Sequence, residues 1–410
     1  MRIGIFSDTY IPQINGVSTS IEMLRKGLEK KGHKVYIITV NPDNMKYIKE
    51  DRVLRIPGIP IGIFDYRLTS IYPARAIKTI KNWNLDVIHS QTEFGVGTFA
   101  RILAKQYNIP LVHTYHTMYE DYIHYITKGY FNRTGKKIVE HLTLFYCDTT
   151  ATELIVPTKK TYDLFKEKYK VKRNVHIVPT GIEVEKYSQK YSDGVINELK
   201  EKIGIKKDAT NLIFVGRIGL EKSVDFLINN HKNIVKKYPN CNLIIIGDGP
   251  ERENLEKLVK KNNLGNNIFF TGKVPLKDIG MYYHLGSIFV TASKTETQGL
   301  TVLEALAASL PVVAIKDESF IDPIKDNYNG YLFEDDKDYV NYINSLLDNK
   351  EKLDKMSADA YESSHNYSSQ TFASNVLKVY KLAIKNKKKK ENIFKRMFKK
   401  IKGEKNVSNR

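Results

Sequence analysis

Cysteine is nearly absent: Cys147 and Cys241 are the only two in 410 residues. They stand far apart and show no metal-ligand spacing. That excludes a disulfide framework and points to a reducing compartment, with both residues acting as buried small hydrophobes. Long apolar runs are missing too. The longest are strand-sized stretches such as Leu243 to Ile246, far short of the roughly 20 residues that a membrane-spanning helix requires. Met1 leads directly into the strand-like Arg2 to Phe6, without a charged region followed by an apolar leader, so no signal peptide is expected. No Walker lysine loop and no repeat of fixed period is found.

Positive charge, by contrast, is abundant. The formal net charge is +19, which calls for an anionic partner: nucleic acid, anionic lipid or a phosphorylated ligand. Hydrophobic residues make up 41% of the chain and charged ones 27%, enough for most of it to bury a core, and the length favours two domains.

Short β-branched runs alternate with amphipathic stretches. Strands are predicted at Arg2 to Phe6, Val35 to Val40, Val87 to His89, Leu111 to Thr114, Leu154 to Val156 and Val175 to Val178. Val17, Ile21, Leu24 and Leu28 mark one of the helices between them. The pattern restarts after residue 210, with strands at Leu212 to Val215, Leu243 to Ile246, Ile268 to Thr271, Ser287 to Val290 and Val312 to Ala314. This alternation predicts an α/β protein with two doubly wound parallel sheets. Pro179, Gly181 and the polar stretch Glu183 to Gly194 read as a linker, which puts the domains at 1–190 and 191–367. After Gly330 to Phe333 the chain turns helical, and Phe372, Val376, Val379 and Leu382 set one apolar face. From about residue 386 to 410 the composition changes again. Lys387 to Lys390 precede Ile393, Phe394, Met397, Phe398 and Ile401, which share one helical face flanked by lysine and arginine, a basic amphipathic tail.

Three segments could carry chemistry. Gly16 sits between the loop Ser7 to Asn15 and a helix starting near Val17. It either lets the backbone approach a phosphate at the positive end of the helix dipole or simply makes a turn before a helix. The segment Val215 to Lys222 leaves a buried strand carrying Arg217 and Lys222, two cations that could neutralise a departing diphosphate or lie on a solvated loop. Finally, Glu296-Thr297-Gln298-Gly299-Leu300 leads into a helix in which Glu304 is surrounded by Leu303, Ala305 and Leu306. Gly299 and the residues after it offer helix N-terminal N–H groups to phosphate, and a carboxylate suits the vicinal hydroxyls of a sugar or ribose. A carboxylate in such apolar company requires a partner. Gly247-Asp248-Gly249-Pro250 lacks the third glycine of a nucleotide-binding motif and reads as a turn, and Asp336-Lys337-Asp338 reads as the first turn of a helix, not as a metal site.

Taken together, Asn15 to Val17, His116, Arg217, Lys222 and the E-x7-E pair Glu296 and Glu304 resemble the retaining GT-B glycosyltransferases. The likeness is to the family that includes bacterial 1,2-diacylglycerol 3-alpha-glucosyltransferases, the monoglucosyldiacylglycerol synthases. The stretches His113 to Tyr122 and Ser293 to Glu304 look most like those enzymes, although the family often has Gly-Phe-Gly where this chain has Thr297-Gln298-Gly299. The resemblance implies two Rossmann-like domains facing each other across a cleft, with a crossover helix at about 368–385 returning to the first domain. It implies donor contacts from Gly16 (diphosphate), Arg217 and Lys222 (charge), Glu296 (sugar hydroxyls), Glu304 (ribose) and the run Thr297, Gln298, Gly299 and Leu300. His116 would lie near the transferred sugar, and the catalytic set would be His116, Arg217, Lys222 and Glu296.

The implied reaction is retaining transfer of glucose from UDP-glucose to the 3-hydroxyl of diacylglycerol. No metal and no cofactor are required, because the cations and a helix N-terminus stabilise the leaving diphosphate. The enzyme would be cytoplasmic and peripheral at the inner face of the cell membrane, with the tail on anionic lipid. Another lipid or cell-wall polymer acceptor, or another nucleotide-sugar donor, stays open because those enzymes share the motifs. Nucleic acid is not expected, since the tail's phenylalanines lie only on its apolar face. A nucleotide-sugar epimerase of similar fold is disfavoured by the pattern of Arg217, Lys222, Glu296 and Glu304.

Overall fold

The β-branched runs do form strands. The computed structural model describes the chain except residues 14, 61–66, 117–136, 138–139 and 408–410, with side chains as far as Lys388. The chain divides into two compact units, Met1–Pro179 with Gln370–Arg410, and Thr180–Ser369.

Unit 1 holds β1 (Arg2–Phe6), β2 (Lys34–Val40), β3 (Ile48–Glu50), β4 (Val53–Ile56), β5 (Ile59–Pro60), β6 (Arg67–Leu68), β7 (Val87–Ser90), β8 (Leu111–Thr114), β9 (Glu153–Val156) and β10 (Val175–Ile177). Eight of these form one sheet in the order β10-β9-β8-β7-β1-β2-β4-β3, and β5 pairs with β6 separately. The strand order reverses beside β1, as in doubly wound sheets. Alternation along β2 divides the core: Val35 and Ile37 pack on one face and Ile38 and Val40 on the other. Both faces are therefore covered, as a parallel sheet requires.

Unit 2 holds β11 (Thr210–Val215), β12 (Cys241–Ile246), β13 (Ile268–Gly272), β14 (Ile288–Thr291), β15 (Val312–Ile315) and β16 (Gly330–Phe333). They form an all-parallel sheet in the order β13-β12-β11-β14-β15-β16. Here the order reverses between β11 and β14. Cys147 and Cys241 are both buried free thiols.

Four expectations need correction. The first sheet is not wholly parallel, because β3 runs antiparallel to β4 at its edge. Strands β3 to β6 had no sequence signal. Charged residues interrupt the first two, and Arg55 within β4 is buried, donating from Nη2 to the Ile11 carbonyl at 2.9 Å. The stretch Glu183 to Gly194 is not a linker. It contains the helix Val184–Tyr187, and Ile182, Val184 and Tyr187 are buried in the second core, so the chain passes between units at Pro179 and not near 190. Lastly, Leu382 is 41% exposed.

The C-terminal helix, Ser369–Val407, buries Phe372, Ala373, Val376, Val379, Tyr380 and Ala383 in the unit 1 core instead. This seam uses alanine and tyrosine, which a search for aliphatic periodicity undercounts. About midway along it Asn386 donates to Glu153 at 2.7 Å. The helix runs on through the lysine-rich segment, but the apolar face expected at Ile393 to Ile401 involves side chains outside the described residues.

The sole tryptophan, Trp83, is buried in unit 1 and so gives that unit its own probe. Phe372→Ala should cost about 3 to 5 kcal/mol, measured as a lower urea midpoint of the Trp83 fluorescence transition.

Candidate active site

In parallel sheets all strands end along one edge, and a crevice opens where the order reverses. In unit 1 that edge carries the loop after β1, which leads to the helix Gly16–Lys30. Asn15 caps this helix: its Oδ1 accepts from Ser18 N at 2.9 Å, and its own N–H donates to Ser18 Oγ at 3.1 Å. Asn15 Nδ2 also donates to Thr9 Oγ1 at 2.7 Å, tying the cap to the strand end. Gly16, exposed at the first helical position, thus presents backbone at the positive end of the dipole.

Around the ends of β7 and β8 lies a group of buried polar side chains that sequence reasoning missed, apart from His116 and the motif position His113. Asp8 is held by Thr92 Oγ1 at 2.6 Å and Val96 N at 2.9 Å, yet burial still raises its pKa. His113 bonds Glu93 at 3.1 Å and the Ser90 carbonyl at 3.0 Å. His116 bonds Gln91 Oε1 through Nε2 at 2.5 Å. Desolvation lowers the pKa of all three histidines here: His116 to about 4, His113 in spite of its bonds to Glu93, and His89 with His113 and His116 adding to the effect. His116 is therefore neutral at pH 7. The residues after it in the expected motif, Thr117 to Tyr122, fall outside the described residues.

In unit 2 the segments ending β11 and β14 meet at the switch point. Lys222 forms an ion pair and hydrogen bond with Glu296, and Ser293 Oγ reaches the Glu221 carbonyl at 3.4 Å. Arg217 lies 3.9 Å from Glu221 and keeps 36% of its side chain exposed. Gly299 has φ 73°, and a Cβ there would stand 2.4 Å from the ring of Phe320, so glycine is required on both counts. From it springs the helix Leu300–Ala307, whose first N–H groups lack intrahelical acceptors. The discounted Gly247-Asp248-Gly249 turn supports this site from behind: a Cβ at Gly249 would lie 2.2 Å from the Ile218 carbonyl, and Ile218 N donates to Asp248 O at 3.0 Å.

Glu304 has the partners its surroundings demand. Tyr187 and Tyr283 each donate to its carboxylate at 2.7 Å, while burial pushes its pKa up. The tyrosines come from distant segments, so only the misfit of a carboxylate among alanines hinted at them. Gln298 is buried as well, with its side chain engaged by Thr180: Oε1 accepts from Thr180 N at 2.8 Å and Nε2 donates to Thr180 O at 3.0 Å. What it can offer a ligand is its backbone. Thr297 and Leu300 are partly exposed on either side. The structure thus brings Lys222 to Glu296 and places Thr297 to Leu300 at a helix start. Gly16 and His116 stand at strand ends of unit 1. No cluster of three or more potential metal ligands exists among the described residues.

Comparison with known proteins also divides the chain in two, with the break between residues 186 and 195, a little beyond Pro179. Residues 14–186 match the family described as Glycosyltransferase Family 4, and residues 195–363 match Glycosyl transferases group 1. The alpha-monoglucosyldiacylglycerol synthase of Acholeplasma laidlawii is 38% identical over 400 residues, covering 95% of this chain and 99% of that protein. The synthase of the same name from Streptococcus pneumoniae is 35% identical over 85% of this chain and 78% of its own. Among solved structures, HepE of Anabaena in complex with UDP superposes with a TM-score of 0.71 at 16% identity, covering 92% of this chain and 99% of that one. Sucrose-phosphate synthase of Thermosynechococcus elongatus gives 0.73 at 18% identity, covering 93% and 98%. The fold is GT-B.

The histidines set a pH dependence. Because the folded pKa of His116 lies near 4 and the ordinary value is 6.5, the unfolded chain binds the extra proton first. The stability this residue contributes is whole above pH 6.5 and is lost as pH falls towards 4. Asp8, with a raised pKa, acts in the opposite sense, so the test is a difference. Between pH 7 and pH 5 the Trp83-monitored urea midpoint should drop further in the wild type than in His116→Asn.

Proposed function

We infer that this chain, which belongs to the glycosyltransferase family of the alpha-monoglucosyldiacylglycerol synthases, transfers glucose from UDP-glucose to the 3-hydroxyl of 1,2-diacylglycerol with retention of anomeric configuration. The observation that carries this reading is a likeness to the Acholeplasma synthase running through both units. The chemistry at the switch point of unit 2 supports it. Lys222, Arg217 and the N–H groups opening the helix after Gly299 are positive groups of the kind that offset the charge a diphosphate gains as it leaves. Glu296, anchored by Lys222, can accept from sugar hydroxyls. Glu304 retains lone pairs beyond those taken by its two tyrosines and can accept from ribose hydroxyls. Gly16 offers backbone to phosphate, and His116 is assigned to the sugar being transferred.

In the proposed step the bond from C1 of the glucose to the phosphate oxygen breaks, with its electron pair going to UDP. The acceptor oxygen bonds C1 on the same face and gives its proton to a phosphate oxygen. No side-chain nucleophile takes part. Work at a membrane surface fits a chain of net charge +19 in which no described helix is long and apolar enough to cross a bilayer.

The test is product identity after incubation with labelled UDP-glucose, UDP-galactose or GDP-mannose and diacylglycerol vesicles, in excess EDTA. Alpha-glucosyldiacylglycerol from UDP-glucose alone is expected. A different acceptor product would replace the assignment, and a rate restored only by magnesium or manganese would contradict metal-free transfer. Lys222→Ala should slow the reaction roughly a hundredfold to a thousandfold, about 2.7 to 4 kcal/mol. Glu304→Gln, whose amide oxygen accepts from one phenol while its NH2 can donate to the other, should be impaired with the fold intact, whereas Glu304→Ala should also lose stability through its orphaned phenols.

Removal of residues 389–410 spares the bond between Asn386 and Glu153 and should reduce sedimentation with anionic vesicles, each basic residue near such a surface being worth about 1 kcal/mol. UDP-glucose binding should barely change. Equal vesicle binding by the truncated and full chains, on neutral and anionic lipid alike, would dispose of the tail's role.

A further inference from the structure

One file of hydrogen bonds in unit 1 leads to His116 through residues with no part in the roles assigned above. Tyr380, on the C-terminal helix, places its hydroxyl 2.7 Å from His89 Nδ1, and the other ring nitrogen of His89 lies 2.7 Å from Thr114 Oγ1. Gln91 turns its amide nitrogen to His89, at 3.2 Å from each ring nitrogen, and its oxygen to His116 Nε2, at 2.5 Å. Tyr380 and His89 are fully buried and Gln91 nearly so.

We propose that Gln91 and Tyr380 are positioning residues for His116, holding its imidazole in one tautomer and one orientation through His89 and tying it to the C-terminal helix. The proposal rests on the assignment of His116 to the transferred sugar. An amide oxygen can only accept, so His116 Nε2 must carry the proton and donate. His116 being neutral, its Nδ1 is then the basic nitrogen. Gln91 is in turn held against His89, its amide nitrogen 3.2 Å from each ring nitrogen and so packed on the ring, both nitrogens being bonded to Tyr380 and Thr114. His89 is kept neutral by burial and by His113 and His116 nearby, and its ring is locked between Tyr380 and Thr114. No member of the file carries charge, which is the condition under which a largely buried network is inexpensive.

The far end of the file lies on a single helix that continues to Val407, with a rise of about 1.5 Å per residue. A slip of that helix by one residue would carry the Tyr380 hydroxyl out of hydrogen-bonding range. His116 is correctly set only when the C-terminal helix is docked.

The test uses the full-length chain and two readouts. In protein labelled with 15N-histidine, the ring shifts of His116, assigned by their absence in His116→Asn, should report the Nε2–H tautomer. Gln91→Leu should populate the other tautomer and lower kcat about a hundredfold, the size expected when a reacting group is misplaced by about 1 Å, with KM for UDP-glucose within about twofold of wild type. Gln91→Glu, which puts a carboxylate where the amide oxygen stood, should instead favour the doubly protonated His116 ring, read as an upward shift of its titration midpoint. Tyr380→Phe should shift kcat in the same direction by a smaller factor, whereas Leu382→Ala, exposed on the same helix, should not. Unchanged Trp83 fluorescence checks that each variant is folded. An Nδ1–H tautomer in the wild type, or a Gln91→Leu variant with unaltered tautomer and kcat, overturns the proposal. Should His116→Asn itself turn over at the normal rate, the assignment of His116 to the sugar fails, and the tautomer in Gln91→Leu alone decides whether the file orients His116.

Discussion

Parallel strand direction is the constraint on which everything else here depends. Parallel neighbours deliver their carboxyl ends to a common edge, and where the order reverses no crossover covers that edge. In unit 1 this happens beside β1 and in unit 2 between β11 and β14. The candidate residues stand at those two places or, for His116, two strands away on the same edge. Gly16 and His116 follow β1 and β8, Arg217 and Lys222 follow β11, and Glu296 to Leu300 follow β14.

Burial governs how these edges can be used. A carboxylate or imidazole drawn into low dielectric must be neutral or richly bonded. Glu304 takes the second course in part, with two phenol donors, Tyr187 and Tyr283, whose rings also meet edge to face. The histidines beside β7 and β8 take the first, each held neutral and bonded to a fixed partner. The outcome in each case is a polar group whose orientation is over-determined, which is what an enzyme needs where it handles hydroxyls and protons. Lys222 and Glu296 differ in being partly open to solvent.

Local patterns made much of this legible. Periodicity located nearly every strand of the two sheets because a sheet covered on both faces demands continuous apolar runs. It failed where charge entered a strand, as at Arg55, and where the helical seam was built from alanine and tyrosine. The polar stretch after Pro179 misled for a related reason: Ile182, Val184 and Tyr187 are spaced too irregularly to read as core, yet they pack into unit 2. At the site, glycines at Gly16 and Gly299 and the cations Arg217 and Lys222 could be singled out because their chemistry is carried by the residue itself.

Roles that depend on a partner could not. The sequence alone determined the class of fold, the positions of the strand ends and the residue types waiting there, since these follow from period and side-chain chemistry within a few residues. Only the tertiary structure decided that Gln298 spends its side chain on Thr180, that Glu304 answers to Tyr187 and Tyr283, and that Tyr380 reaches His89 across 291 positions of chain. Hydrogen bonds act over about 3 Å of space, whatever the separation along the chain, and nothing in a linear pattern records which distant donor the fold will bring to an acceptor.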